Sequence, residues 1–179
     1  MFDRRRAMAL ILGFAAAPRL AGAATEPLKI AFVDTGNTGR SLMAEVLSRD
    51  LIKRQSLRIA VISRGLDVDP FDEAPEANAA ILMTRRGFDV ASHRARALQL
   101  SDLVHADLLL TMTAKHLEKV VADYPAAGPK AFTLAQYASG TATDIPDAWG
   151  KPMSDYRAVL AQLDLYLPLA LTKAGAAKR

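Results

Sequence analysis

Residues 30–45 read IAFVDTGNTGRSLMAE, and the interpretation of this stretch decides the architecture. The apolar run Leu28–Asp34 has Pro27 before it and a loop of Gly, Asn and Thr after it, so it reads as a buried strand. From Arg40 to Arg54 the apolar side chains fall at positions 42, 43, 46, 47, 51 and 52, which is a helical period. The residues between, Thr35 to Arg40, join a strand end to a helix start. Such a loop points several backbone N–H groups at one centre, and the helix dipole adds to them. Gly36 and Gly39 are expected to supply positive φ angles, and Asn37 to hold the curl by side-chain hydrogen bonds. Arg40 offers a two-pronged fork suited to phosphoryl oxygens. Ser41 is placed to donate to whatever group stands at position 34. Thr35, Gly36, Asn37, Thr38, Gly39, Arg40 and Ser41 thus form a candidate phosphate-binding loop. Taken alone, the loop also fits a plain β–α turn capped by Asp34 and Ser41. It is not a Walker loop, because no Lys follows the second Gly.

Outward from this stretch, strands alternate with helices. Leu57–Arg64 and Ala106–Thr113 read as further strands, and Lys130–Tyr137 as a weaker fourth. Helices are expected over Asp72–Phe88, with Pro75 in the first turn and Gly87 at the end, and over Ala114–Tyr124. A last helix spans Asp155–Thr172, which Pro168 is expected to bend or end. The alternation implies an α/β domain with a parallel sheet and helices on both faces. Ligands in such sheets sit at the carboxyl ends of strands, which is where the 34–41 loop lies. The chain carries no internal repeat and no sign of a second domain.

The 179 residues suit one domain with a real core, and 51% are apolar. The net charge is +4, but Arg4, Arg5, Arg6 and Arg19 stand near the N-terminus with only Asp3 against them. Beyond residue 23 the balance is 19 Lys+Arg against 18 Asp+Glu, or +1. A nearly neutral domain gives no electrostatic case for nucleic acid. Arg4–Arg6, the apolar Ala7–Ala17 and the small residues Ala21–Ala24 read as a signal peptide over residues 1–24. The apolar run falls short of the ~20 residues of a membrane span, so the mature chain, 25–179, is expected to have no stable span. The expected destination is the periplasm or the exterior. The paired arginines and the basic Arg19 favour the twin-arginine route over Sec. The chain has no cysteine, which excludes disulfides and every thiolate mechanism. No cofactor or metal-ligand spacing is evident. His105 and His116 are isolated, and His93 suits a structural hydrogen bond. Arg94 and Arg96 read as a solvated basic face near the sheet edge.

Several separated motifs, in order, resemble the low-molecular-weight protein-tyrosine phosphatases. VDTGNTGRSLMAE resembles their signature of Cys, five residues, Arg and Ser. SRG (63–65) resembles their Ser-Ala-Gly. GFDVASHRARAL (87–98), ADLLLTMTAKH (106–116) and DIPDAWG (144–150) match later segments, the last resembling the loop that carries the general acid. The resemblance implies a three-layer domain with a four-stranded parallel sheet in the order 2-1-3-4. It also implies a phosphate-handling site with Asp34 at the nucleophile position, Arg40 as anion ligand and Asp147 at the general-acid position. The departures bear on function. Asp34 stands where the family has its nucleophilic Cys, Gly39 where many members have a second Cys, and Ala148 where a Pro stiffens the acid loop.

In the family, thiolate attack on phosphorus is paired with protonation of the leaving oxygen by the Asp. Carboxylates form aspartyl-phosphates in other families, commonly with a divalent metal. The second Asp of the haloacid-dehalogenase pattern is here Gly36. A carboxylate ~4 Å from a phosphate charge meets about 4 kcal/mol of repulsion per charge pair at an effective dielectric of about 20. The expectation is therefore a self-filled cradle, binding phosphate or a phosphopeptide-like anion weakly, in an exported binding or regulatory protein whose protein partner is unspecified. The alternative is a slow phosphomonoesterase or tyrosine phosphatase using Asp34 as nucleophile or base, with Asp147 as acid.

Overall fold

The computed structural model describes residues 26–177. The leader reading over residues 1–24 therefore lies outside the described residues. Four strands, β1 (Leu28–Asp34), β2 (Ile59–Gly65), β3 (Leu108–Thr111) and β4 (Ala131–Thr133), pair in the order β2-β1-β3-β4, all parallel. Among the described residues six α-helices connect and cover them: α1 (Arg40–Gln55), α2 (Ala77–Arg85), α3 (Leu100–His105), α4 (Ala114–Asp123), α5 (Leu134–Ser139) and α6 (Met153–Ala177).

Strand β1 explains the layering. Its side chains alternate across the sheet. Ile30 and Phe32 join one cluster with Leu42, Met43, Met83, Leu134, Leu163 and Leu167, which places α1, α2, α5 and α6 on that face. Ala31 and Val33 join the other with Leu103, Leu109 and Val120, from α3, β3 and α4. Both faces are covered, so β1 is apolar along nearly its whole length, as a central parallel strand must be.

Several boundaries differ from the sequence expectation. The helix expected from Asp72 begins at Ala77, with Glu76 as its N-cap, so Pro75 precedes the helix. The fourth strand is three residues long, and Leu134 onward turns into α5, where Thr133 accepts the N–H of Gln136 as a cap. Helix α3, six residues long, has no counterpart in the sequence expectation. Pro168 neither ends α6 nor separates it from the core, because the helix continues to Ala177. A helix-interior Pro costs about 3 kcal/mol or more. Buried Leu163 and Leu167 before it and Ala170, Leu171 and Ala174 after it offset that cost, since each fully buried Leu contributes roughly 1.5–3 kcal/mol. Among the described residues no helix is long and apolar enough to cross a membrane.

Candidate functional site

The carboxyl end of β1 delivers Asp34 to the floor of the 35–39 loop, where it is 3% exposed. Both of its oxygens are engaged by the loop. Oδ1 accepts the N–H of Asn37 at 2.7 Å and Oδ2 the N–H of Ser41 at 2.9 Å. Ser41 thus donates through its main chain, while its hydroxyl accepts the Asn37 side-chain amide at 2.9 Å.

The glycines do not supply the positive φ expected of them. Asn37 does, at φ 59°, a conformation Asn tolerates better than most side-chain-bearing residues. Its amide group locks it there. Arg96 N–H donates to Asn37 Oδ1 at 2.9 Å, and His93 Nε2 donates to the Asn37 carbonyl at 2.7 Å. Gly39 has a different use. A Cβ there would lie 2.5 Å from Glu76 Oε1, so the missing side chain makes room for the Glu76 carboxylate. Gly65 likewise lets the end of β2 approach the loop, since a Cβ there would lie 2.7 Å from the Thr35 carbonyl oxygen. The N–H groups of Leu66 and Asp67 then donate to the carbonyls of Asp34 and Thr35, each at 2.9 Å.

Arg40 is 7% exposed, and its fork is turned to the 144–150 segment. Nη1 donates to the Ile145 carbonyl at 3.1 Å, and Nη2 lies 3.3 Å from Asp147 Oδ1. Asp147 is largely open to solvent, with its side chain 58% exposed. The segment is held by Ile145 N–H to Met112 O and by Ala114 N–H to Asp144 Oδ1. Ala148 is buried and Trp149 exposed.

Three further residues stand at the loop. Glu76 accepts hydrogen bonds from the Thr38 hydroxyl, at 3.1 Å, and from the Tyr156 hydroxyl. Burial pushes its carboxyl above the ordinary range. The two hydrogen bonds oppose this, and the nearby Asp34 and Asp147 charges add to it. Tyr156 is raised in turn, by burial and then by Glu76. His116 Nε2 pairs with the Thr35 hydroxyl at 2.9 Å, while its Nδ1 is buried without a partner. Burial and then Arg40 lower its pKa, against the pull of Asp34, Asp147 and Asp144. None of these partners lies near in sequence: Glu76–Tyr156 spans 80 residues and Thr35–His116 spans 81. The available signal is topological. β1 and β3 are neighbours, so the helix that follows β3 must start beside the loop that follows β1.

Known proteins are similar to this chain in both sequence and fold. Residues 29–174 match the family model described as low molecular weight phosphotyrosine protein phosphatase. The chain belongs to this family. It is 37% identical over 138 residues to a protein-arginine-phosphatase of Geobacillus stearothermophilus, covering 77% of this chain and 90% of the relative. It is 33% identical over 141 residues to the low molecular weight protein-tyrosine-phosphatase PtpB of Staphylococcus haemolyticus, covering 78% and 94%. The solved structure of the YwlE arginine phosphatase from Geobacillus stearothermophilus superposes with a TM-score of 0.78 at 32% identity, over 85% of this chain and 96% of that one. The three-layer fold and the strand order expected from the sequence are those of the family.

Proposed function

We propose that this protein is a catalytically silent family member, exported by its N-terminal segment, whose phosphate loop carries its own anion and which acts as a binding or regulatory protein. One observation carries the reading: the Asn37 and Ser41 amides both donate to the Asp34 carboxylate. A carboxylate whose two oxygens each accept a main-chain N–H is stabilised as an anion and is a weaker nucleophile toward an incoming phosphorus than a free one. It also takes the Asn37 and Ser41 amides, which an anionic ligand would otherwise use. Arg40 adds to the block, because its fork already serves Ile145 and Asp147. Residual anion binding at the loop is therefore weak.

A second reading is a slow phosphatase with Asp34 as nucleophile or base and Asp147 as acid. It draws support from one relative: a mutant of the YwlE arginine phosphatase has been solved with a phosphorylated active-site serine, at TM-score 0.78 and 28% identity. An oxygen nucleophile in that protein therefore carries phosphate.

Para-nitrophenyl phosphate turnover by the purified mature protein, with and without Mg²⁺, separates the two. The silent reading expects no phosphate release from the wild type. It expects measurable hydrolysis from Asp34→Cys, because loop amides and the helix N-terminus favour a thiolate, with loss again when Arg40 or Asp147 is also changed. Wild-type turnover that disappears in Asp34→Asn establishes the slow enzyme instead. Export is tested by mass spectrometry of the protein from its native envelope. The expected start is near Ala24 or Thr25, and an intact Met1 on a soluble cytoplasmic species removes that part of the reading.

A further inference from the structure

Beside Asn37 lies a cavity of about 290 Å³ whose lining includes neither Arg40 nor Asp147. Asn37 forms part of its wall, and the rest is strongly basic: Arg49, Arg64, Arg94, Arg96 and His93 line it, with Glu45 as the acidic residue. Most of the charge is matched within the protein. Arg49 pairs with Glu45 at 2.5 Å, and Glu45 also takes the Ser63 hydroxyl. Arg64 forks onto both oxygens of Asp102 at 2.8 Å.

Arg94 and Arg96 are left over. Arg94 reaches only the carbonyls of Ala91 and His93. The Arg96 guanidinium has no acceptor among the described residues, since its one hydrogen bond to a side chain is made by the main-chain N–H. The two are exposed, with buried Ala95 between them, and both line the cavity. That segment is firmly seated. Gly65 N–H donates to Arg96 O at 2.9 Å and Leu98 N–H to Gly65 O at 2.8 Å, with a parallel bridge between Gly65 and Ala97.

We infer that this cavity is a second anion site, which takes a phosphate-type dianion between the Arg94 and Arg96 guanidinium groups. Two unmatched positive charges in one concavity call for a doubly negative ligand. Planar forks suit the paired oxygens of a tetrahedral phosphoryl group. The Glu45 and Asp102 carboxylates that would otherwise repel it are already paired with Arg49 and Arg64. The site differs from the front loop, where Asp34 holds the amides, and it does not depend on whether the family chemistry survives. It is mechanically joined to that loop, because the Arg96 N–H and the His93 ring both hold Asn37 in its left-handed conformation. An anion drawn onto Arg96 therefore pulls on the residue that shapes the loop.

The test is calorimetric titration of the full chain with inorganic phosphate and, separately, with O-phosphoserine, at constant ionic strength. Backbone amide shifts of Arg96 and Asn37 are followed in parallel. Arg96→Gln and Arg94→Gln are each expected to weaken binding by about tenfold to a hundredfold, the effect of losing a charge-assisted hydrogen-bonding fork. Arg85→Gln, which removes the same charge outside the cavity, should leave it unchanged. The tighter of the two ligands tells whether free phosphate or a phosphomonoester is the better fit. Asp34→Ala should retain the Arg96-dependent component, which separates this site from the front loop: wild-type turnover would overturn the silent reading and leave this inference standing. Equal affinity in wild type and Arg96→Gln, no binding of either ligand, or loss of all binding in Asp34→Ala overturns it.

Discussion

Replacing Asp34 by Ala opens the front loop, and the structure sets the size of the effect. The carboxylate accepts two main-chain N–H bonds, at 2.7 and 2.9 Å, in a place where it is 3% exposed. A net hydrogen bond to a charged group contributes about 1.5–3 kcal/mol, so the pair contributes roughly 3–6 kcal/mol. The carboxylate's own desolvation offsets part of this. Asp34→Ala is therefore expected to cost about 3 kcal/mol in phosphate-free buffer, a fall of about 6–12 °C in Tm for a domain of this size. Typical domains have about 5–15 kcal/mol in hand, so the variant should still fold. The freed amides should then accept an external anion. At a hundredfold excess over Kd, a ligand specific to the native state returns about 2.7 kcal/mol. The assay is urea unfolding with and without saturating phosphate at fixed ionic strength, read as the gain in the variant beyond the gain in wild type. Arg96→Gln in both backgrounds removes any contribution from the second site. A variant as stable as wild type without phosphate, with no extra gain in its presence, refutes the self-filled loop.

Two other perturbations probe the rim. Burial and Arg40 hold His116 below its ordinary pKa of 6.5, so the unfolded chain takes up the proton first. The stability contributed by neutral His116 is full above about pH 6.5 and is lost as the pH falls through its folded value. His116→Gln should flatten that part of the profile, seen as a smaller loss of urea midpoint between pH 7 and pH 5 than in wild type. An unchanged slope removes His116 from the acid response. Gly39→Ala drives a methyl to 2.5 Å from the Glu76 carboxylate, which Thr38 and Tyr156 hold in place. It should cost about 1–3 kcal/mol, much of it relieved in the double variant with Glu76→Ala, so a double-mutant cycle of unfolding energies should be non-additive.

The local pattern of the chain was enough for the layout. The apolar run ending at Asp34, the short loop and the helical period from Arg40 specify strand, turn and helix, because these depend on side-chain period and turn chemistry within a few residues. The later motifs, in order, brought the strand order through resemblance. Arg40, Ser41 and Asp34 were legible as loop residues for the same local reason. Tertiary packing decided the rest. It gave the left-handed φ to Asn37 and not to the glycines, because His93 and Arg96, more than fifty residues away, hold Asn37 from behind. It carried α6 through Pro168, because burial on both sides outweighs a lost main-chain bond. It brought Glu76, Tyr156 and His116 to the loop. Only the convergence of helix starts at the carboxyl edge of a parallel sheet sets those distances, and no spacing along the chain encodes them.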